Sequence, residues 1–255
     1  MSPSFDIPIV LGAAFAAGCI DAIAGGGGLI QVPALFGVYP SAEPTSLLGT
    51  NKFASVFGTG NAVWRFSKRI TIHWRALIWL MLLVLLTSAA GALLAKFVPP
   101  ERYRLMVPAM LTVVLAIILH NRHLGSEHQP REFTHRYKWM AAALIALIGF
   151  YDGFFGPGTG SFFMFVFVRV YGYDFLNAAA NARALNVVTN IAAITMFAGT
   201  THIMWILGGA MAVSNVAGSM LGARLALRGG NTLIRRVFLT IVIALIGRTL
   251  WVALA

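Results

Sequence analysis

Two kinds of charged residue recur in an otherwise apolar chain, and each lies beside residues suited to binding. Asp21 opens the run Asp21-Ala-Ile-Ala-Gly-Gly-Gly-Gly-Leu-Ile-Gln-Val-Pro33, and Asp152 opens Asp152-Gly-Phe-Phe-Gly-Pro-Gly-Thr-Gly-Ser161. Lys52 ends Gly49-Thr-Asn-Lys52, and Arg183 sits in Asn181-Ala-Arg183-Ala-Leu-Asn186. A cation flanked by amides suits a tetrahedral oxyanion, because ammonium and guanidinium groups donate several charge-assisted hydrogen bonds. The candidate substrate-binding cations are therefore Lys52 and Arg183, with Asn51, Asn181 and Asn186 around them. Asn190 shares the helical face of Arg183 and Asn186.

The glycine runs supply the second part of such a site. Gly25, Gly26, Gly27 and Gly28 each cost a helix up to ~1 kcal/mol relative to Ala. In the second run, Gly156, Gly158, Thr159 and Gly160 surround Pro157, which also lacks a backbone donor. A break exposes backbone N–H groups at the start of the next half-helix, and these attract anions. Irregular backbone within a bilayer is tolerated only when buried in protein or lining a wet cavity. Two such breaks point to a binding site at the membrane midplane.

Each feature also has a plainer reading. The glycines would permit close helix packing, and the cations would snorkel from helix ends. Asp21 and Asp152 are expensive inside a membrane, which favours a functional role. Proton coupling and structural capping or pairing both stay open for them. Six His residues show no metal-ligand spacing, and no Ser, His and Asp grouping stands out. No catalytic residue, metal or cofactor is expected, and the chain does not read as an enzyme. Cys19, a lone cysteine, reads as a small core thiol, and Tyr and Trp near segment ends as interface anchors.

The elements that must position these residues are membrane helices. The 255-residue chain is 58% hydrophobic but only 11% charged, against about a quarter in a soluble domain. Stretches such as 76–94 and 106–119 hold no Asp, Glu, Lys or Arg, and a span needs roughly 20 apolar residues. Ten-residue blocks of period 2, the mark of a membrane barrel, are absent. The net charge of +11 sits mostly in short loops between apolar segments. It sets orientation there, and nucleic acid is not an expected partner. The start of the chain lacks a basic leader region and reads as a retained first helix.

A shift of 131 positions aligns the two halves without a gap. Gly18, Asp21, Gly25 and Gly27 fall on Gly149, Asp152, Gly156 and Gly158, Lys52 falls on Arg183, and Ser88 falls on Ser219. Only four Asp exist, so two in register is not chance. The fold class is thus an all-α integral membrane protein of about eight helices, in two homologous repeats of four elements. Each repeat opens with a glycine-broken helix. The predicted elements are 7–38, 45–65, 76–97 and 103–120, then 138–171, 176–198, 204–227 and 235–254. The first repeat is assigned to 1–124, a cytoplasmic linker to 125–137 and the second repeat to 138–255. As one helix, 138–171 would be roughly 51 Å long at 1.5 Å per residue, too long for one crossing and too short for two. Basic residues crowd 65–75, 121–138 and 224–236, all predicted cytoplasmic. The segment 196–206, partner of the first loop, has no Lys or Arg, which favours inverted repeats. The loop with Lys96, Arg102 and Arg104 argues for parallel ones.

The segments Gly18-Cys-Ile-Asp-Ala-Ile-Ala-Gly-Gly-Gly-Gly-Leu-Ile30, Gly49-Thr-Asn-Lys-Phe53, Gly149-Phe-Tyr-Asp-Gly-Phe-Phe-Gly-Pro-Gly-Thr-Gly-Ser161 and Asn181-Ala-Arg-Ala-Leu-Asn186 resemble the sulfite exporter TauE/SafE family, also described as toluene sulfonate uptake permeases. The resemblance covers nearly the whole chain in order. It implies a bacterial inner-membrane permease for sulfite or small organosulfonates. It also places Asn51, Lys52, Arg183 and Asn186 at positions often basic or amide in the family, with Arg183 where many relatives carry Lys. The partners implied are a small anionic substrate and the lipid bilayer, with a homo-oligomer left open. A secondary transporter is the main expectation, with proton coupling through Asp21 or Asp152 as a secondary one. A passive anion channel, carriage of an unrelated small anion, and a membrane enzyme or assembly subunit are the alternatives.

Overall fold

Runs of Leu, Ala, Val and Ile with few charges fold as helices, because a helix satisfies its own backbone where water is absent. The computed structural model describes residues 3–72, 74–99, 101–102 and 135–254 of the chain. Among them are α1 (Pro3–Ala24), α2 (Gly28–Val38), α3 (Pro44–Ser67), α4 (Trp74–Ala95), α5 (His135–Phe154), α6 (Thr159–Arg169), α7 (Phe175–Thr200) and α8 (Trp205–Leu254). No strand occurs among the described residues. The expected segment 103–120 and most of the linker lie outside them. α5 begins at His135, inside the span assigned to the linker.

Among the described residues four helical segments, Ile7–Ala24, Leu77–Ala95, Phe175–Thr200 and Trp205–Ile234, are long and apolar enough to cross a membrane. Both long broken elements resolve into a helix and a half-helix. α2 and α6 have 11 residues each, or roughly 16 Å, about half a hydrocarbon core. α2 turns back along α1, since Leu35 packs with Val10 and Ala14. α8 contains a second break, at Gly230 with φ 57° and ψ −155°, between the two helices expected over 204–227 and 235–254.

Which residues meet fixes the helix directions. Ser214 donates to the Leu11 carbonyl and Asn215 to that of Ala14, and Gly222 packs on Cys19. α1 and α8 therefore run in the same sense. α4 and α5 also run together, with Gly149 against Val84 and Gly153 against Ser88 and Ala92. α3 runs with α1, because Leu47 clusters with Val10 and Thr59 reaches Asp21. α3 opposes α7, whose tail residue Thr201 meets Thr45 while Arg183, near its head, lies over Phe66.

Contacts recur at the 131-residue offset. Ser88 Oγ donates to the Thr189 carbonyl (2.9 Å), and Ser219 Oγ donates to the Gly58 carbonyl (2.6 Å). Gly91 lies against the Phe150 carbonyl, and Gly222 against that of Cys19. α4 thus packs on α5 and α7, while α8 packs on α1 and α3, so each half of the sequence lends a helix to the other. Small residues at these crossings bring backbones close, which replaces the hydrophobic effect as the packing force in lipid.

Candidate functional site

The two breaks meet each other in the interior. Gly25, at φ 76°, adopts a left-handed backbone open to glycine, and its carbonyl accepts from Ser161 N (3.0 Å). Ser161 Oγ donates to the Ala24 carbonyl (2.7 Å). A Cβ on Gly25 would lie 2.3 Å from the Gly160 backbone carbon, so the glycines permit a backbone-to-backbone crossing. On the other side, Gly156 at φ 98° faces Lys52, whose Nζ would lie 2.7 Å from a Cβ added there. Tyr151 closes its break by donating to the Pro157 carbonyl (2.8 Å).

α3 and α7 carry the polar side chains to this junction. Lys52 and Thr59 flank the middle of α3 by about one turn each. Lys52 Nζ lies 2.6 Å from Asp152 Oδ1, and both side chains are at most 3% exposed. The ammonium is the carboxylate's partner among the described residues; neither Asp152 oxygen gains a further hydrogen bond there. Asp21 Oδ2 instead accepts from Thr59 Oγ1 (3.1 Å). Asn51 is buried, with its side-chain oxygen unpartnered among described residues.

These groups line a narrow cavity with about 20 Å³ of space for water centres, room for about one water. Of the residues expected at the site, Asp21, Gly25, Gly28, Asn51, Lys52, Asp152, Gly156, Gly158, Thr159, Gly160 and Asn186 border it. Ser55, Thr59 and Asn190 border it as well. Ser55 and Asn186, and Thr59 and Asn190, are partners at the 131-residue offset. That correspondence is the signal that could have found Ser55 and Thr59.

Four expected residues lie elsewhere. Gly26 and Gly27 sit inside the turn, Gly27 against Ala17 and the Asp21 stem. Asn181 Nδ2 donates to the Asn177 carbonyl (2.8 Å). Arg183 is 1% exposed and does not border the cavity. Its Nη1 donates to the Ala179 carbonyl, and its Nη2 donates to the carbonyls of Asp21 (3.0 Å) and Ala22 (2.6 Å). The guanidinium carbon stands 4.6 Å from the Phe66 ring centroid, within cation–π range. Arg183 thus ties the last turn of α1, adding donors to the Ala22 carbonyl and to the Asp21 carbonyl, which also accepts from Gly25 N (2.9 Å).

Among the described residues the cavity is bordered by one cation, Lys52, and two carboxylates, Asp21 and Asp152, with the buried Arg183 guanidinium behind Asp21. A small polar cavity between opposed helices and paired half-helices, inside a bundle of apolar spans, is the arrangement of a multi-pass membrane transporter. The comparisons agree. The chain belongs to the sulfite exporter TauE/SafE family, whose pattern it matches over residues 10–249. It is 35% identical over 238 residues to "Probable membrane transporter protein ORF9" of Sinorhizobium sp, covering 93% of this chain and 90% of that one. It is 34% identical over 221 residues to a "Probable membrane transporter protein" of Haemophilus influenzae, covering 87% and 85%. It is 35% identical over 234 residues to "Probable membrane transporter protein YfcA" of Escherichia coli K12, covering 89% and 85%. No solved structure matches it.

Proposed function

We propose that the protein is a secondary permease that carries a small sulfur oxyanion, of the sulfite or sulfonate class, together with protons across a bacterial inner membrane. The observation that carries this reading is the buried Lys52–Asp152 pair in a cavity that Asp21 also borders. An anion entering there meets the Lys52 ammonium and two carboxylates, of which Asp152 pairs with Lys52 and Asp21 has the Arg183 guanidinium behind it. At about 4 Å and an effective dielectric near 20, each ionised carboxylate opposes it by roughly 4 kcal/mol. Protonation of Asp152 frees Lys52 for the anion, and protonation of Asp21 removes the second repulsion. Anion and proton then move together.

The repeated contacts at the 131-residue offset, with α1 and α3 opposed to α5 and α7, support two inverted halves that rock about the junction. On this reading 1–124 and 138–255 are the two repeats. The ends of α3 and of the first arm of α8, together with the start of α5, face the cytoplasm. They carry the basic clusters at 65–75, 224–236 and around Lys138. A chamber with room for about one water favours alternating access over an open pore.

The test is sulfite and sulfoacetate uptake into proteoliposomes, with and without an imposed pH gradient. Saturable uptake that an inward proton gradient accelerates supports the reading. Asp21→Asn, which keeps an acceptor for Thr59, is expected to retain uptake while flattening its pH dependence. Unsaturable flux would assign a channel. A fully retained pH dependence in Asp21→Asn would remove that residue from the coupling.

A further inference from the structure

We infer that the basic groove where the tail of α3 meets α8 binds the phosphate of an anionic phospholipid headgroup. The groove is a cavity of about 440 Å³, well apart in character from the site above. Arg65, Lys68 and Arg69 come from α3 and the turn after it, and Arg224 and Arg228 come from α8. These cations converge because α3 and α8 run in the same sense in matching register, pinned by Asn61 Nδ2 to Ser219 Oγ (3.2 Å) and Ser219 Oγ to the Gly58 carbonyl (2.6 Å). One to three turns beyond that pin, both helices turn basic. Among the described residues no acidic side chain lines the groove, and none of the five cations forms an ion pair.

Orientation alone asks only that Lys and Arg lie on one side of the membrane. It does not ask that they share a groove, and such basic pockets between membrane helices suit anionic lipid headgroups. Guanidinium groups chelate phosphate oxygens in pairs. Trp64 forms the rim. It is 55% exposed, Lys68 Nζ stands 3.4 Å from its ring centroid and the Arg65 guanidinium carbon 6.0 Å. An indole in that position anchors at headgroup depth.

The apolar surface leading away from the groove selects lipid over a free oxyanion. Phe57 (49% exposed), Trp64 and Lys68 follow one another on one face of α3 at spacings of 7 and 4. On α8 the apolar side chain beside the cations is Leu227, which lines the groove between Arg224 and Arg228. The α3 stripe is apolar along the span and basic at its end, which matches an acyl chain ending in a phosphodiester. A free anion would use the cations alone.

The test is native mass spectrometry of the full-length protein purified in detergent. It is titrated with dioleoyl phosphatidylglycerol, dioleoyl phosphatidylcholine or inorganic phosphate. Wild type is expected to retain phosphatidylglycerol over phosphatidylcholine. The variant Arg65→Gln/Arg224→Gln/Arg228→Gln is expected to lose that preference by about tenfold or more, on the basis of roughly 1 kcal/mol per basic residue near an anionic headgroup. If the triple variant does not fold, Arg228→Gln alone is expected to cut the preference about fivefold. Equal retention of the two lipids, or an unchanged preference in a folded variant, overturns the inference. So does displacement of phosphatidylglycerol by inorganic phosphate, which would assign the groove to free oxyanions.

Discussion

Lys52 and Arg183 occupy the same position in the two halves of the sequence, 131 residues apart, yet they do different things. Lys52 reaches a carboxylate, Asp152, at 2.6 Å and borders the cavity. Arg183 faces the Asp21 segment in the equivalent way but passes its carboxylate by and binds the backbone carbonyls of Asp21 and Ala22. The longer, forked side chain reaches past the carboxylate, and the Phe66 ring holds it there. Asp21 is left with a hydroxyl partner, Thr59. One corner of the junction thus carries a buried ion pair, while the other carries a clamp on the main chain. A duplicated fold need not duplicate its chemistry, because one change of side chain redirects the donor from a carboxylate to the main chain.

The largest effect is expected from neutralising the working corner. Lys52→Gln in an Asp152→Asn background removes both charges together, so the fold is kept while sulfite uptake into proteoliposomes falls about a hundredfold or more. Retained uptake would make the pair structural. At the other corner, Arg183→Gln removes the side-chain donor to the Ala22 carbonyl and the cation over Phe66, and is expected to cost roughly 2 kcal/mol of stability. Thermal melting in detergent reads that loss, and the surviving folded protein should still transport. A variant with unchanged melting but no transport would break the comparison and put Arg183 in the anion path.

The two break glycines sharpen the same contrast. Ala at Gly25 must push Cβ against the Gly160 backbone, whereas Ala at Gly156 meets the flexible end of Lys52. Both also carry the strain of a positive φ. Gly25→Ala is expected to reduce folded yield severely. Gly156→Ala should fold better and raise the half-saturating sulfite concentration by displacing the ammonium. Reversal of that order would mean the crossing of the breaks is looser than described. The smallest effects are expected where the halves remain alike. Ser88→Ala removes one buried hydroxyl-to-carbonyl bond and should cost about 1 kcal/mol by the same melting assay, and Ser219→Ala, which also removes the acceptor of Asn61, should cost slightly more. A large inequality between them would show that the halves differ beyond the junction.

Sequence patterns carried much of this. The two glycine runs, the rare Asp at a fixed offset and the length of 138–171 all announced broken helices, since these are local properties of the chain. α5 and α6 indeed part at the Gly156–Gly158 turn. Lys52, Asn51 and Asn186 were legible as cavity candidates from residue type and spacing. The placement of Arg183 was not, because its partners Ala22 and Phe66 lie more than a hundred residues away, on other helices. Ser55 and Thr59 were passed over because an uncharged hydroxyl on a helix looks like any other until its neighbours are known.

By itself, then, the sequence determined that the chain lies in a membrane as helices, where those helices break, and which charged residues are costly to hold there. These follow from hydropathy, backbone freedom and the cost of burying charge, and each acts within a few turns of chain. Only the tertiary structure decided which carboxylate meets which cation and that Asp21 keeps a neutral partner. It also decided that the cations of α3 and α8 share one groove. Such pairings depend on distances between segments far apart in the chain, set by the crossing of small-residue helix faces.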